Sequence, residues 1–487
     1  LVGSEMCIRD SSEGVTRVLY AMSRRNSRIA RHNCWTSIVG GATTIGFGGS
    51  VGPEAPIVLT GAAIGSNIGR LARLNYKHTT LLLCCGAGAA LAAIFKAPIT
   101  GVVFVLEILM LDITAGSVIP LLIASITATT MAFMLRGFDP ILAVTLAPAD
   151  AFELWQIPLF ILLGVLCGLM AWYFTSMNSR VGGFFKSIDK QYKKWLWGGA
   201  ILGILIFVFP PLYGEGYEGF TSLMHGNAQE LFNNSLFYRF RDIDWVIILF
   251  VIATMFFKVI AMSTTNAAGG VGGTFAPSLF VGAFTGASLA LVCNTLFGWE
   301  VSIVSFTLVG MAGVMSGVMN APLTSIFLIA ELSNGYGLFI PLMITACISF
   351  AVDYYLDPDS IYTKQLRQKG ELLTHDKDQS VFVFLKLEEL METDFLRIKE
   401  NMTLGDIVHI ISTARRNIFP VIDNFGRLIG VVQLDDLRED MFKHEKYGHP
   451  ISDYMIPPPD KIIEHEAILS VMEKFEDKHA WMLPVVD

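Results

Sequence analysis

The chain repeats itself, and the repeat restricts the fold more than any other feature. Residues 86–107 read GAGAALAAIFKAPITGVVFVLE, and residues 310–331 read GMAGVMSGVMNAPLTSIFLIAE. In both, a Gly stands twelve residues before the proline of an Ala-Pro pair, and a Glu nine residues after it. A second match lies upstream of each, GPEAPIVLTGAAIG at 52–65 and GTFAPSLFVGAFTG at 273–286, with Gly five and nine positions after the proline. The upstream and downstream prolines are 42 residues apart in the first copy and 45 in the second. Two ungapped matches in the same order define two related halves, about 34–180 and 195–352.

These halves are apolar. Of 487 residues, 53% are hydrophobic and only 16% charged, where a soluble domain carries about 25% charged residues. A membrane unit with a soluble attachment follows. Residues 157–176 hold no charge over twenty positions, enough for a span of about 30 Å. Residues 245–262 are interrupted only by Lys258, and 198–209 run into Pro210-Pro211. Broken apolar segments in corresponding halves point to a binding site at mid-membrane. The basic residues of 12–33 (Arg24, Arg25, Arg28, Arg31) and the lysines at 186–194 are expected on the cytoplasmic side. Residues 1–11 read as a leader foreign to the protein. A net charge of -8 gives no reason to expect nucleic acid as a partner. The seven cysteines form no CxxC pair and the nine histidines are scattered, so the cysteines read as packing residues and no metal site is expected.

Within the first half, residues 48–56 read GGSVGPEAP, with Glu54 the one carboxylate in a run of small residues. Glycine and proline cost about 1 and 3 kcal/mol in a helix interior, so this stretch is a break that leaves backbone amides free. The following PIVLTGAAIGSNIGR reads as the helix those amides begin, and helix starts favour anions. An ionisable residue at membrane depth marks a functional site. Neither 48–61 nor 269–282 contains Lys or Arg, so an anion held there is not trapped by a buried cation. Gly48-Gly49-Ser50-Val51-Gly52 also fits a nucleophile elbow, but no strand precedes it and no histidine lies between His78 and His225. A hydrolase is rejected.

After Asp353 the composition turns polar. Residues 418–439 read as strand, turn at Asn424-Phe425-Gly426, strand, and helix start, and LPVVD repeats FPVID 64 residues later. Each copy follows a helical stretch, 404–414 and 467–475, giving a tandem α/β region at 373–440 and 441–487, the second copy truncated.

The ordered series GGSVGPEAP, KAPITGVVFVLE, GGVGGTFAPSLFVGAFTG, NAPLTSIFLIAE and PDSIYTKQL resembles the CLC family of chloride channels and chloride/proton exchangers over about 34–372. The tail resembles a pair of CBS domains. The resemblance implies a mainly α, polytopic protein of two inverted-repeat halves with broken helices, plus a cytoplasmic CBS pair. It implies a homodimer in the bilayer of a cell membrane, carrying chloride and protons, with exchange favoured over a passive channel. Glu54 matches the gating glutamate. Gly52, Pro53, Ala55, Gly273, Thr274, Phe275, Ala276 and the hydroxyl of Tyr362 match the anion-binding positions.

The chain departs from the family pattern in three ways. Gly52-Pro53-Glu54-Ala55-Pro56 stands where the family usually has Gly-Arg-Glu-Gly-Pro. The first anion motif, Gly-Ser-Gly-x-Pro, is absent from the N-terminal stretch. Ile108 stands where many exchangers carry an inner proton-transfer glutamate, so transport mode stays open. In the tail, Asp436 matches the ribose-binding position of nucleotide-binding CBS members, with Gln433 in place of the usual Ser or Thr. An adenine-nucleotide site and a dimerising structural module are the two readings there, and no other cofactor is implied. A membrane-anchored nucleotide sensor is the rival function, disfavoured because an anchor needs no matched breaks. Glu107 and Glu331 are expected to be structural, pairing where the halves meet. Lys96 reads either as a source of positive potential or as a snorkelling lysine.

Overall fold

The computed structural model describes residues 14–24, 26–111, 114–137, 152–224, 228–333 and 335–364, and most of 391–486. The chain divides into two units, 1–372 and 373–487.

The first unit is helical. Its elements are α1 (Gly14–Arg24), α2 (Asn33–Gly46), α3 (Glu54–Leu71), α4 (Tyr76–Phe95), α5 (Pro98–Glu107), α6 (Ala115–Arg136), α7 (Ile157–Lys186), α8 (Gln191–Val208), α9 (Tyr217–Met224), α10 (Asp244–Ala267), α11 (Phe275–Phe297), α12 (Ile303–Met319), α13 (Pro322–Leu332) and α14 (Phe339–Leu356). Among the described residues, six helical segments are long and apolar enough to cross a membrane. On α6, Ile119, Ile123, Met134 and Leu135 face outward, as a lipid-facing helix requires. The repeat appears as structure: α3 to α6 correspond to α11 to α14.

Each break has a local cause. Lys96 (φ 54°) and Asn320 (φ 52°) end α4 and α12 in the left-handed conformation. Two residues on, Pro98 and Pro322 open α5 and α13 at a position where a missing N–H is harmless. Lys96 Nζ donates to the Gly137 carbonyl at 2.8 Å, and Asn320 Nδ2 to the Pro358 carbonyl at 3.0 Å. Lys96 therefore anchors the end of α6.

Small residues let the helices touch. A Cβ on Gly61 would strike the Gly86 carbonyl, and one on Gly86 the Gly61 carbonyl; Gly282 and Gly310 stand in the same relation between α11 and α12. Such backbone approach is the usual basis of close helix packing in membranes.

The halves are joined by reciprocal contacts. Glu331, at the end of α13, accepts from Ile99 N (3.0 Å), Thr100 N (2.9 Å) and the Thr100 hydroxyl at the start of α5. Glu107, at the end of α5, accepts from Leu323 N (3.0 Å), Thr324 N (2.7 Å) and the Thr324 hydroxyl (2.7 Å) at the start of α13. Each half thus caps a helix of the other, a pattern that a two-fold relation imposes.

The basic stretch 12–33, expected to be polar, carries a buried apolar face in α1. Val15, Val18, Leu19, Tyr20 and Ala21 of α1 are buried, and Gly14 lies against the Ala55 carbonyl so closely that a Cβ would strike it. The arginines drew attention from an apolar face that a helical turn gathers on one side.

The second unit has a three-stranded sheet in the order β1 (Ile398–Lys399), β2 (Ile418–Ile422), β3 (Leu428–Gln433), with β1 parallel and β3 antiparallel to β2. A second sheet pairs β4 (Ile462–Ile463) parallel with β5 (Val485–Val486). Ile462 opposite Val485 repeats Ile398 opposite Val421 at the 64-residue offset of the sequence repeat. Helices α15 (Leu404–Ile411), α16 (Leu434–Leu437) and α17 (Ile468–Asp477) accompany the strands. Asp440 accepts hydrogen bonds from Lys446, Lys443 and Tyr454, and these hold its carboxyl down from the ordinary 3.8 to about 2.

Two outcomes follow from these contacts. Glu331→Ala leaves three donors at the start of α5 without an acceptor, and should lower stability by about 3 kcal/mol, read as a drop in thermal unfolding midpoint in detergent. Because the Asp440 pKa is depressed, its contribution is present at neutral pH and lost as pH falls from about 4 through 2. Hydrogen exchange over residues 437–454 should therefore differ between wild type and Asp440→Asn at pH 6, and converge below pH 2.

Candidate functional site

The two upstream repeat copies meet at their glycines. Gly52 N donates to the Gly273 carbonyl at 3.0 Å, and Gly273 N to the Gly52 carbonyl at 2.7 Å. This bridge sets the first turn of α3 beside the first turn of α11. Neither start has a side-chain cap from its preceding residue, Pro53 or Thr274, and both are buried. The starts of α5 and α13 each receive a glutamate from the opposite half. Among the described residues, the one carboxylate beside the starts of α3 and α11 is Glu54 of α3 itself, and a buried helix start is a ready site for an anion.

Glu54 occupies that place. It is the first residue of α3 and 1% exposed. Its Oε1 accepts from the Tyr217 hydroxyl at 2.9 Å, while Oε2 is buried without a hydrogen bond. The carboxylate faces the backbone amides of Glu54 itself and Ala276. Oε2 lies where a Cβ on Gly52 would be, and the Ala276 methyl lies 2.8 Å from that same point. Gly52 is therefore the floor on which the carboxylate rests.

The remaining expected residues fall around this point with one displacement. Ala55 packs against Gly273, and Pro53 precedes α3 in helical conformation. Thr274 is fully buried, and its Oγ1 makes no hydrogen bond. Phe275 stacks on Phe95 with ring centroids 5.3 Å apart. Tyr362 is 1% exposed, but its hydroxyl lies 3.8 Å from Met319 Sδ at the end of α12. It connects to the rest through α1: Thr16 donates to the Tyr362 carbonyl, while Gly14 abuts Ala55. Ser50, the elbow serine, donates to the Leu212 carbonyl at 2.7 Å and is fully buried. In the second unit, Asp436 is exposed on the four-residue α16, and Gln433 makes no side-chain cap there.

Sequence reading missed Tyr217 and its surroundings. It opens α9 after the turn Gly214-Glu215-Gly216, where Gly214 (φ 61°) and Gly216 (φ 91°) need the left-handed freedom of glycine. Lys258 of α10 is fully buried, donates to the Gly214 carbonyl at 2.9 Å and lies 4.9 Å from the centre of the Phe280 ring. Glu215 lies within electrostatic reach of it. The lone lysine in an apolar span was the available signal, but the sequence gives no hint of its partner 44 residues upstream.

A membrane unit of two reciprocally capped halves, with paired open helix starts guarding a buried carboxylate, defines a carrier or pore for anions. Residues 4–354 match the voltage-gated chloride channel family and residues 387–443 the CBS domain. The chain belongs to that chloride channel family, which is a transport family and not an enzymatic one. It is 28% identical over 339 residues to an H(+)/Cl(-) exchange transporter of Vibrio cholerae, covering 68% of each chain. It is 25% identical over 452 residues to chloride channel protein CLC-f of Arabidopsis thaliana, covering 82% of this chain and 56% of that protein. The crystal structure of a slow cyanobacterial Cl-/H+ antiporter has the same fold, with a TM-score of 0.58 at 24% identity over 74% of this chain and 87% of that one.

Gly52→Ala puts a methyl where Glu54 Oε2 rests, so the carboxylate should leave the α11 start and Tyr217 should lose its acceptor. Tyr217→Phe removes the hydrogen bond directly, at about 1 kcal/mol. A structure of either variant with the Glu54 side chain unmoved overturns this account.

Proposed function

We propose that the protein moves chloride across a cell membrane in exchange for protons, with Glu54 as the gate. The observation that carries this is the position of the Glu54 carboxylate: buried, half unpaired, and lying as an anion between the open starts of α3 and α11. Helix starts offer an anion about 0.3–1 kcal/mol each at exposed sites and up to about 2 when partly buried. That is enough to replace part of a hydration shell and too little to trap the ion. Chloride and the carboxylate compete for one place. A protonated Glu54 carries no charge, loses that attraction and releases the place to chloride, so proton uptake and chloride entry are coupled.

The anion contacts we assign are the amides of Glu54, Ala55, Thr274, Phe275 and Ala276, with the Thr274 hydroxyl free to donate, while Gly52, Pro53 and Gly273 form the turns that carry them. The Tyr362 hydroxyl flanks the pathway at the end of α12. The likeness to the H(+)/Cl(-) exchange transporter of Vibrio cholerae supports exchange. A homodimer in the bilayer, with the CBS region on the cytoplasmic side, completes this reading. The CBS region is read as a dimerising structural module, with an adenine nucleotide at Asp436 as the alternative.

The test is chloride efflux from liposomes with external pH recorded. Wild type should drive protons uphill on a chloride gradient, and Glu54→Ala should keep chloride moving while proton movement falls at least tenfold. Chloride flux without protons in the wild type makes the protein a channel, and no anion flux in either overturns the reading.

A further inference from the structure

Buried polar atoms without a hydrogen bond include a second group beyond Glu54 Oε2 and Thr274 Oγ1. Both carboxylate oxygens of Asp353, Oγ of Ser349 and Oδ1 of Asn320 belong to it. They gather near one junction. Thr345, Ser349 and Asp353 follow one another at four-residue spacing on one face of α14, and are 0%, 0% and 1% exposed. This row packs on glycines of α12: a Cβ on Gly317 would lie 3.3 Å from both Ser349 Oγ and Asp353 Cβ, and one on Gly313 would lie 2.9 Å from Thr345 Cγ2. On the α7 side, Gly168 backs onto the Ser349 carbonyl. Asn320 is one turn beyond Gly317, and Ile361, beside Tyr362, donates to the Val318 carbonyl. Asp353 is thus close to the strand of chain that carries Tyr362, near the end of α14 from which the chain continues toward the second unit.

Asp353 differs from the other membrane carboxylates in what surrounds it. Glu107 and Glu331 each accept three hydrogen bonds, and Glu54 accepts one from Tyr217. Among the described residues, the Asp353 carboxylate accepts none. The charges near it are Asp357 and Lys364, which pair with each other. The facing residues Gly317 of α12 and Ala171 of α7 are not titratable. An ionised carboxylate buried without donors costs several kcal/mol, whereas the neutral acid avoids that cost. A buried water needs two to four polar partners, and Asp353, Ser349 and Asn320 can supply them.

We propose that Asp353, near the C-terminal end of α14, is a proton-transfer residue separate from Glu54. This inference rests on the exchange reading above, which requires a proton to cross the whole unit although Ile108 supplies no carboxylate. A proton from water binds one Asp353 oxygen and neutralises it. It then passes to a water held beside Ser349, leaving the carboxylate with its charge, so no other reactant is consumed.

The test is the same liposome measurement with wild type, Asp353→Asn and Asp353→Glu in the full chain. Proton movement should fall at least tenfold in Asp353→Asn while chloride efflux continues, and Asp353→Glu should restore it. An infrared band of a protonated carboxylic acid, present in wild type and lost in Asp353→Asn, provides a readout independent of transport. Wild-type coupling in Asp353→Asn overturns the proposal and leaves exchange standing. Loss of both fluxes in Asn and Glu variants alike also overturns it, as a structural role. Absence of proton movement in the wild type instead removes the exchange reading on which it rests.

Discussion

A helix that begins inside a membrane presents amide hydrogens with no water to take them, and this constraint organises the whole membrane unit. Among the described residues, two pairs of such starts are related by the repeat. At α5 and α13 the amides are satisfied by Glu331 and Glu107, each reaching across from the other half. These contacts fix the halves to each other because neither half can complete its own helix. At α3 and α11 the two starts lie side by side at the Gly52–Gly273 bridge, and among the described residues the carboxylate beside them belongs to α3 itself. The first pair is closed by permanent partners. The second is served by a partner able to leave.

Much of this was legible in the sequence. The Ala-Pro pairs located both breaks, and the glutamates nine residues beyond them marked equivalent positions at the seam. The glycines that match between the copies, Gly61 with Gly282 and Gly86 with Gly310, are the ones whose backbones touch a neighbouring helix. These signals share one property: the cause is local and the repeat shows it twice. What stayed hidden depends on contacts that occur once. Nothing in GEGY places Tyr217 on Glu54, because the link spans 163 residues and has no counterpart in the other half. The burial of α1 was obscured by its arginines, since a composition average does not see which side of a helix a residue occupies.

The soluble unit shows the same economy of means. The pairing of Ile398 with Val421 returns as Ile462 with Val485, so one strand arrangement serves two copies. The first copy adds an antiparallel third strand that closes its sheet over Phe419, Val421 and Val432.

The interlocked glycines of α3 with α4, and of α11 with α12, have a consequence for how such a molecule can change state. Where one backbone rests directly on another, sliding a helix means forcing carbonyls through each other, and the frame around the helix starts behaves as a solid. Motion is then confined to side-chain torsions. A swing of the Glu54 side chain can then open the site without moving either helix, and side-chain rotations are faster than domain motions.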